Sequence, residues 1–156
     1  MVRRVVTEEV DGRSRVASDG AAPVLAMSPD AGIDELWING PTEPLGHDPT
    51  IADAALTPPP GGVHWRFFVV PPDELVDGPV GDREIEMGEV DESGWHRTDS
   101  LDYIYVLEGD ITLELDDAVV ELHTGDCVVQ RRTNHAWRNR STRPVRILAV
   151  MLGLEP

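Results

Sequence analysis

The 156-residue chain carries 29 acidic and 13 basic residues, a formal net charge of −16, one cysteine and no lysine. A field of this sign repels phosphate backbones and anionic lipid surfaces, which argues against nucleic-acid and membrane partners. A single cysteine excludes an intrachain disulfide and a thiolate-rich metal cluster.

The length suits one domain with a buried core of ordinary size. No apolar run reaches the roughly 18 residues that a membrane span needs. The N-terminal stretch MVRRVVTEEV has two arginines, but glutamates follow at once where a signal peptide would have its apolar segment. The chain is therefore expected to be a soluble cytoplasmic protein. Its lysine-free, acidic composition is typical of a GC-rich genome and also of adaptation to high salt.

Residues 1–20 are predicted to form a hairpin with Asp11-Gly12 at the reversal, because this dipeptide favours the tight turns that join antiparallel strands. Residues 21–62 are rich in Pro, Gly, Asp and Ala, with one strand-like island, DELWIN, around Trp37. Residues 40–62 are predicted to be an irregular arm on the protein surface. Residues 1–62 are thus expected to be a hairpin and an arm that pack on a barrel.

From Val63 onward, short segments rich in β-branched and aromatic residues follow one another at regular spacing. The predicted strands are VHWRFFVV, REIEMGEV, DYIYVLEG, DITLELDD, AVVELHTG, DCVVQRR, HAWRNRS and VRILAVMLG. Gly, Asp or Ser residues lie in the links, and no long amphipathic helix intervenes. The pattern predicts an all-β sandwich or barrel over residues 63–156. Cys127, in the apolar run CVV, is expected to pack in its core as a small hydrophobe.

Polar residues alternate at the start of one of these strands, so strand parity decides which of them share a face. His96 and Thr98 are two residues apart and point the same way on an extended strand. Asp102 follows a segment in which Asp99-Ser100 is suited to a turn. Its face continues with apolar residues, which predicts that its side chain points inward.

A second set of alternating residues lies near the C-terminus, where His135, Trp137 and Asn139 share one face of a predicted strand. Trp137 is suited either to the wall of a pocket or to ordinary core packing. His64 begins an earlier strand and alternates with Arg66, so it reaches either a cavity or the surface.

The stretch WHRTDSLDYIYVLEGDITLEL resembles the first motif of the cupin family, in which His-x-His is followed by a Glu and then, seven residues on, a Gly. His96 stands at the first histidine of that motif, Thr98 at the second, and Asp102 at the Glu. The stretch GDCVVQRRTNHAWRN resembles the second motif, with His135 and Asn139 in its His and Asn places. The residue pattern of the two stretches is also similar to that of a branch of small bacterial and fungal cupins with Thr and Asp in these places.

This resemblance covers about residues 63–152 and implies a double-stranded β-helix (the cupin jelly-roll barrel), commonly a homodimer, with a small-molecule cavity at one mouth. It implies that His96, Asp102 and His135 are the catalytic residues and the ligands of a divalent metal such as Fe, Mn, Ni or Zn. Thr98, Trp137, Asn139 and His64 are the candidates for the pocket. In place of the Pro-x-Gly turn that often precedes the second-motif histidine, this chain has Arg131-Arg132-Thr133.

Two imidazoles and a carboxylate suffice for a metal site with an open coordination position. A buried aspartate beside two histidines can equally be satisfied by hydrogen bonds and a shared proton, without a metal. A metal-dependent enzyme of this kind would be a dioxygenase, decarboxylase, dehydratase or isomerase for a small organic or aromatic substrate. The alternatives are a metal-free acid–base enzyme and a non-catalytic ligand-binding protein. No nucleotide cofactor is expected.

Overall fold

The computed structural model describes residues 2–28, 31–50, 55–75, 90–91 and 93–156. The strands of this described part are β1 (Arg3–Val10), β2 (Arg13–Ala21), β3 (Val24–Ser28), β4 (Ala31–Asn39), β5 (Val63–Val70), β6 (Ser100–Glu108), β7 (Ile111–Leu115), β8 (Val119–Leu122), β9 (Cys127–Arg131), β10 (His135–Arg138) and β11 (Val145–Gly153). A single 3₁₀ turn, Asp73–Leu75, is the helical element of these residues. None of their helices is long and apolar enough to cross a membrane.

The predicted N-terminal hairpin is confirmed, because β1 and β2 pair antiparallel as a sheet of their own. Asp11 and Gly12 have φ angles of 53° and 74°, the left-handed pair that a tight two-residue hairpin turn requires. Val2 anchors the base of the hairpin, since its carbonyl accepts a hydrogen bond from the Ala22 N–H over 2.9 Å.

The largest sheet contains six strands in the order β3-β4-β5-β11-β6-β9. Because β4 pairs with β5 along most of its length, this sheet begins before Val63. The DELWIN island is part of β4, as the pattern predicted. The predicted strand REIEMGEV lies outside the described residues, except for Val90, which is not in a strand.

A three-stranded sheet in the order β10-β7-β8 faces the larger one, and the hydrophobic core lies between them. Strand β11 shows how one face of a strand is directed into this core, because its residues alternate strictly between buried and half-buried along all nine positions. The core takes its buried side chains from β6, β7, β8 and β11, namely Ile104, Val106, Ile111, Leu113, Leu122, Val145, Ile147, Ala149 and Met151. The fold is therefore all-β, and the expectation of a double-stranded β-helix is confirmed.

Cys127 corrects one sequence-based expectation. Its side chain is exposed on β9 and not packed in the core. The neighbouring strand explains the difference, because Cys127 pairs with Tyr105, which is 40 % exposed on the outer face of the six-stranded sheet. An apolar run on an edge strand thus has one face in the core and one in solvent.

The inner face of the six-stranded sheet also holds a fully buried ion pair. The guanidinium of Arg66 on β5 lies 2.7 Å from the Glu35 carboxylate on β4, and both side chains are at most 2 % exposed. The backbone carbonyls of Leu56 and Ala55 accept further hydrogen bonds from Arg66 over 2.8 and 3.1 Å. The neighbouring His64 ring, through Nδ1, also contacts Arg66. The pairing of β4 with β5 is what brings the two charges together.

Removal of the Glu35 carboxylate should destabilise the protein strongly. Glu35→Ala leaves the Arg66 guanidinium buried without its counter-charge, so we expect the free energy of unfolding to fall by roughly 3–5 kcal/mol. Urea unfolding followed by tryptophan fluorescence measures this change. As the control, Glu8→Ala breaks the exposed ion pair with Arg15 (2.7 Å), and should cost less than about 1 kcal/mol. A similarly small loss in Glu35→Ala would contradict the prediction.

Candidate functional site

The backbone brings the two histidines of the predicted site together. His96 and His135 exchange two hydrogen bonds, N–H to C=O in both directions, over 2.9 and 3.0 Å. This isolated antiparallel bridge places the two rings on the same side, with centroids 4.3 Å apart. The turn before His96 is fixed by Asp91, whose carboxylate accepts hydrogen bonds from the N–H groups of Ser93 and Trp95.

Each imidazole is also held by a backbone carbonyl. Nδ1 of His96 lies 3.1 Å from the carbonyl oxygen of Gly94, and Nδ1 of His135 lies 2.9 Å from that of Thr133. A carbonyl oxygen only accepts, so Nδ1 must carry the proton in both rings. The second nitrogen of each neutral ring, Nε2, is therefore left with a free lone pair. Gly94 provides its carbonyl from a left-handed backbone conformation with φ of 86°.

The surroundings of the two rings favour their neutral form. Burial lowers the pKa of His135 to about 4, and the adjacent His96 adds to the shift. Burial likewise lowers the pKa of His96. Two imidazolium charges at this separation in an apolar environment would repel each other strongly. At neutral pH the pair thus consists of two uncharged bases.

Three polar side chains lie in a row on β6 and the segment before it. Thr98, Ser100 and Asp102 alternate along the chain and are all buried. The Ser100 hydroxyl lies 2.9 Å from Thr98 Oγ1, and Ser100 also hydrogen-bonds the Asp102 carboxyl. Ser100 is not among the predicted site residues, because the dipeptide Asp99-Ser100 is suited to a turn. The period-two spacing of the three residues was the signal that could have identified it.

Asp102 is the group in this row whose hydrogen bonding is incomplete. It is 4 % exposed, and its Oδ1 atom has no hydrogen-bond partner among the described residues. Burial raises the pKa of Asp102 to about 6, against the opposing effects of the Ser100 hydrogen bond and the charge of Arg66. A carboxyl in an apolar site holds its proton more tightly for this reason.

The histidine pair and Asp102 line one cavity between the two sheets, with a volume of about 140 Å³. Its other walls are mostly aliphatic and aromatic, so the polar groups form a cluster in an otherwise apolar chamber. The described residues that line it are Leu56, Phe68, Val70, His96, Thr98, Asp102, Ile104, His135, Trp137, Ile147, Ala149 and Met151. Trp137 is thus a wall of the cavity, with its ring 6.0 Å from that of His135 in an edge-on arrangement.

The predicted metal site is incomplete in the part of the chain that the structure describes. Within those residues, no group of three His, Cys, Asp or Glu side chains stands close enough together to hold a metal ion. The two Nε2 atoms are chemically suited to a metal, but Asp102 does not join them in such a group. The described residues therefore do not fit the three-ligand centre that the resemblance implies.

Two of the expected pocket residues are placed elsewhere. Asn139 is not among the described cavity residues, because its amide donates to the carbonyls of Val70 (2.9 Å) and Arg143 (2.7 Å) and its oxygen accepts from Ser141. It therefore fixes the loop between β10 and β11. His64 is buried and contacts Arg66, and it is not among the described cavity residues either.

Part of the chain matches the model of a known protein family. A family model described as "Cupin domain" matches residues 82–151, which include His96, Asp102 and His135.

Among curated proteins, the chain is similar to the phomopsin biosynthesis cluster protein D of Diaporthe leptostromiformis, with 42 % identity over 58 % of this chain and 49 % of that protein. It is also similar to the oryzines biosynthesis cluster protein J of Aspergillus oryzae, with 29 % identity over 99 % of this chain and 83 % of that protein. A third relative is the cupin-domain-containing oxidoreductase virC of Hypocrea virens, with 40 % identity over 41 % of this chain and 35 % of that protein. The chain spans about half the length of the phomopsin-cluster protein that it matches.

The raised pKa of Asp102 gives a prediction for stability. A carboxyl whose pKa is higher in the folded than in the unfolded state stabilises the fold at low pH, and this stability is lost as the pH rises through about 6. Asp102→Asn keeps the shape but cannot ionise. We therefore expect the difference in free energy of unfolding, Asp102→Asn minus wild type, to be about 1 to 3 kcal/mol larger at pH 8 than at pH 4.

Urea unfolding of both proteins at the two pH values measures the difference. All other titrating groups are common to both proteins and cancel in the comparison. Asp117→Asn, at an exposed turn, is the control and should show no such pH dependence. Equal stability differences at pH 4 and pH 8 for Asp102→Asn would contradict the assignment.

Proposed function

We propose that the chain, whose residues 82–151 match the cupin family model, is an enzyme that moves a proton within a small organic molecule bound in the cavity. The reaction class that needs only such transfers is isomerisation. One observation carries the proposal: a buried carboxyl oxygen of Asp102 has no partner among the described residues and lines an apolar cavity beside two neutral imidazoles. An unpaired buried carboxyl reduces stability, and such groups with shifted pKa values cluster at functional sites.

Asp102 is the general base of this proposal. Its pKa of about 6 means that it is ionised at neutral pH yet more basic than an ordinary carboxylate. In an isomerisation, its carboxylate removes a proton from one atom of the substrate, the electron pair shifts within the substrate, and the same carboxyl returns the proton to a second atom. No oxidant or other co-reactant is required. The apolar walls around Asp102 exclude water that would compete for the proton.

The histidine pair orients the substrate in this scheme. The Nε2 lone pairs of His96 and His135 accept hydrogen bonds from the molecule in the cavity, and the Nδ1–H bonds to backbone carbonyls keep both rings from turning. Fixed acceptors of this kind hold the reacting atoms near Asp102 without movement during the reaction.

The comparisons support a role in small-molecule chemistry in coarse terms. Two of the relatives are named as members of biosynthesis clusters and a third as an oxidoreductase. Because the chain spans only part of two of these proteins, the activities of the whole relatives are not transferred. The proposal for this chain rests on Asp102 and its surroundings.

Activity of an Asp102 variant tests the proposal. Ring-sized organic compounds that bind the protein, as detected by ligand-observed NMR, are incubated with it and examined for conversion by mass spectrometry. For a converted compound, Asp102→Asn should lower kcat/KM by about 10²–10⁴-fold, which is the usual contribution of a general base. Asp117→Asn, on the exposed β7–β8 turn, should retain full activity. Conversion at the wild-type rate by Asp102→Asn would exclude the proposed role.

Metal content separates this proposal from a metal-dependent reaction at the same site. We expect protein purified without chelator to contain no more Fe, Mn, Ni or Zn than the His96→Ala/His135→Ala double variant, because the described residues offer two imidazoles and no third ligand. Elemental analysis measures both proteins. About one equivalent of metal that is lost in the double variant would favour the metal-dependent alternative instead.

A further inference from the structure

Three of the polar side chains among the described residues that line the cavity, His96, Asp102 and His135, act as hydrogen-bond acceptors. His96 and His135 each use Nδ1–H on a backbone carbonyl and leave Nε2 as an acceptor. Asp102 contributes a buried carboxyl oxygen, Oδ1, that has no hydrogen-bond partner among the described residues. The donors among the described lining residues are the hydroxyl of Thr98, which shares a short hydrogen-bonded row with Ser100, and the indole N–H of Trp137. A molecule that satisfies the three acceptors must therefore supply the protons.

We infer that the cavity selects a ring-sized apolar molecule whose head group donates hydrogen bonds, and that a protonated amine is preferred over a hydroxyl and strongly over a carboxylate. The inference rests on the proposed use of this cavity as the substrate site, and it specifies the substrate class. An ammonium group brings three donors and a positive charge. It can therefore pair with the Asp102 oxygen that has no partner among the described residues, whereas a carboxylate would place further acceptors against this oxygen.

The charges around the cavity favour the same class. No lysine or arginine is among the described residues that line it. The guanidinium of the buried Arg66 is engaged by Glu35 and by the Leu56 and Ala55 carbonyls. The formal charge of the whole chain is −16. The negative charge of the chain thus attracts a cationic ligand over a distance, and the Asp102 carboxyl pairs with it in the cavity. An anionic ligand is repelled by the chain and finds no lysine or arginine among the described lining residues.

The size and the walls of the cavity define the rest of the molecule. A volume of about 140 Å³ is close to that of apolar cavities of about 150 Å³ that bind benzene. Phe68, Trp137 and aliphatic side chains form most of the lining. The body of the ligand is therefore one ring or a branched chain of similar size, which is bound by burial of apolar surface.

Three probes that differ only in the head group test the inference: benzylamine, benzyl alcohol and benzoate. Their dissociation constants are measured by NMR titration at pH 7.5, with protein dialysed first against EDTA. Benzylamine should bind wild-type protein at least about 10-fold more tightly than benzoate, which is the effect of one hydrogen bond to a charged group. Benzyl alcohol should lie between them. In Asp102→Asn the preference for benzylamine over benzoate should fall to within about twofold, while Asp117→Asn should keep the wild-type order.

Equal or tighter binding of benzoate by the wild type would overturn the inference, as would undetectable binding of benzylamine at millimolar concentration or an unchanged preference in Asp102→Asn. These outcomes are distinct from failure of the proposed function. The expected order of binding without conversion of any compound would leave the ligand class intact and refute the enzyme. Loss of conversion in Asp102→Asn together with a preference for benzoate would support the enzyme and refute the ligand class.

Discussion

The burial of charge inside an apolar barrel is the constraint that shapes this site. Two of the charged groups on the inner face, Arg66 and Glu35, neutralise each other at 2.7 Å, and backbone carbonyls satisfy more of the guanidinium. Asp102 lies near enough to Arg66 for its pKa to be affected, yet no cation contacts it directly in the described part of the chain. The pair is thus a completed structural unit, while the carboxyl retains bonding capacity that a ligand can use.

The histidine pair shows how backbone hydrogen bonds alone can define a chemical site. The bridge between His96 and His135 fixes the separation of the rings, and the carbonyls of Gly94 and Thr133 fix which nitrogen carries the proton. No second carboxylate is needed for this purpose. The loop that Asp91 orders is consequently as important to the site as the strands, because it determines where the Gly94 carbonyl points.

Sequence alternation predicted much of this architecture, since each strand from β5 to β11 could be read from its own residues. The predicted strand REIEMGEV lies outside the described residues except for Val90. Contacts between distant segments could not be read in this way. The Glu35–Arg66 pair depends on the pairing of β4 with β5, which leaves no local pattern. Cys127 sits on a strand whose two faces differ in exposure, so its apolar neighbours were misleading. Asn139 fits the family motif, but its amide is needed to hold a loop.

The environment also inverts the usual order of ionisation of the two kinds of group. In water a carboxyl loses its proton at a lower pH than an imidazolium does. In this cavity burial raises the pKa of Asp102 to about 6 and lowers that of His135 to about 4. Between these values the carboxyl is a donor and the imidazole is an acceptor, whereas above pH 6 both are acceptors. The same apolar walls that bind the body of a ligand therefore decide whether the polar end accepts or supplies a proton.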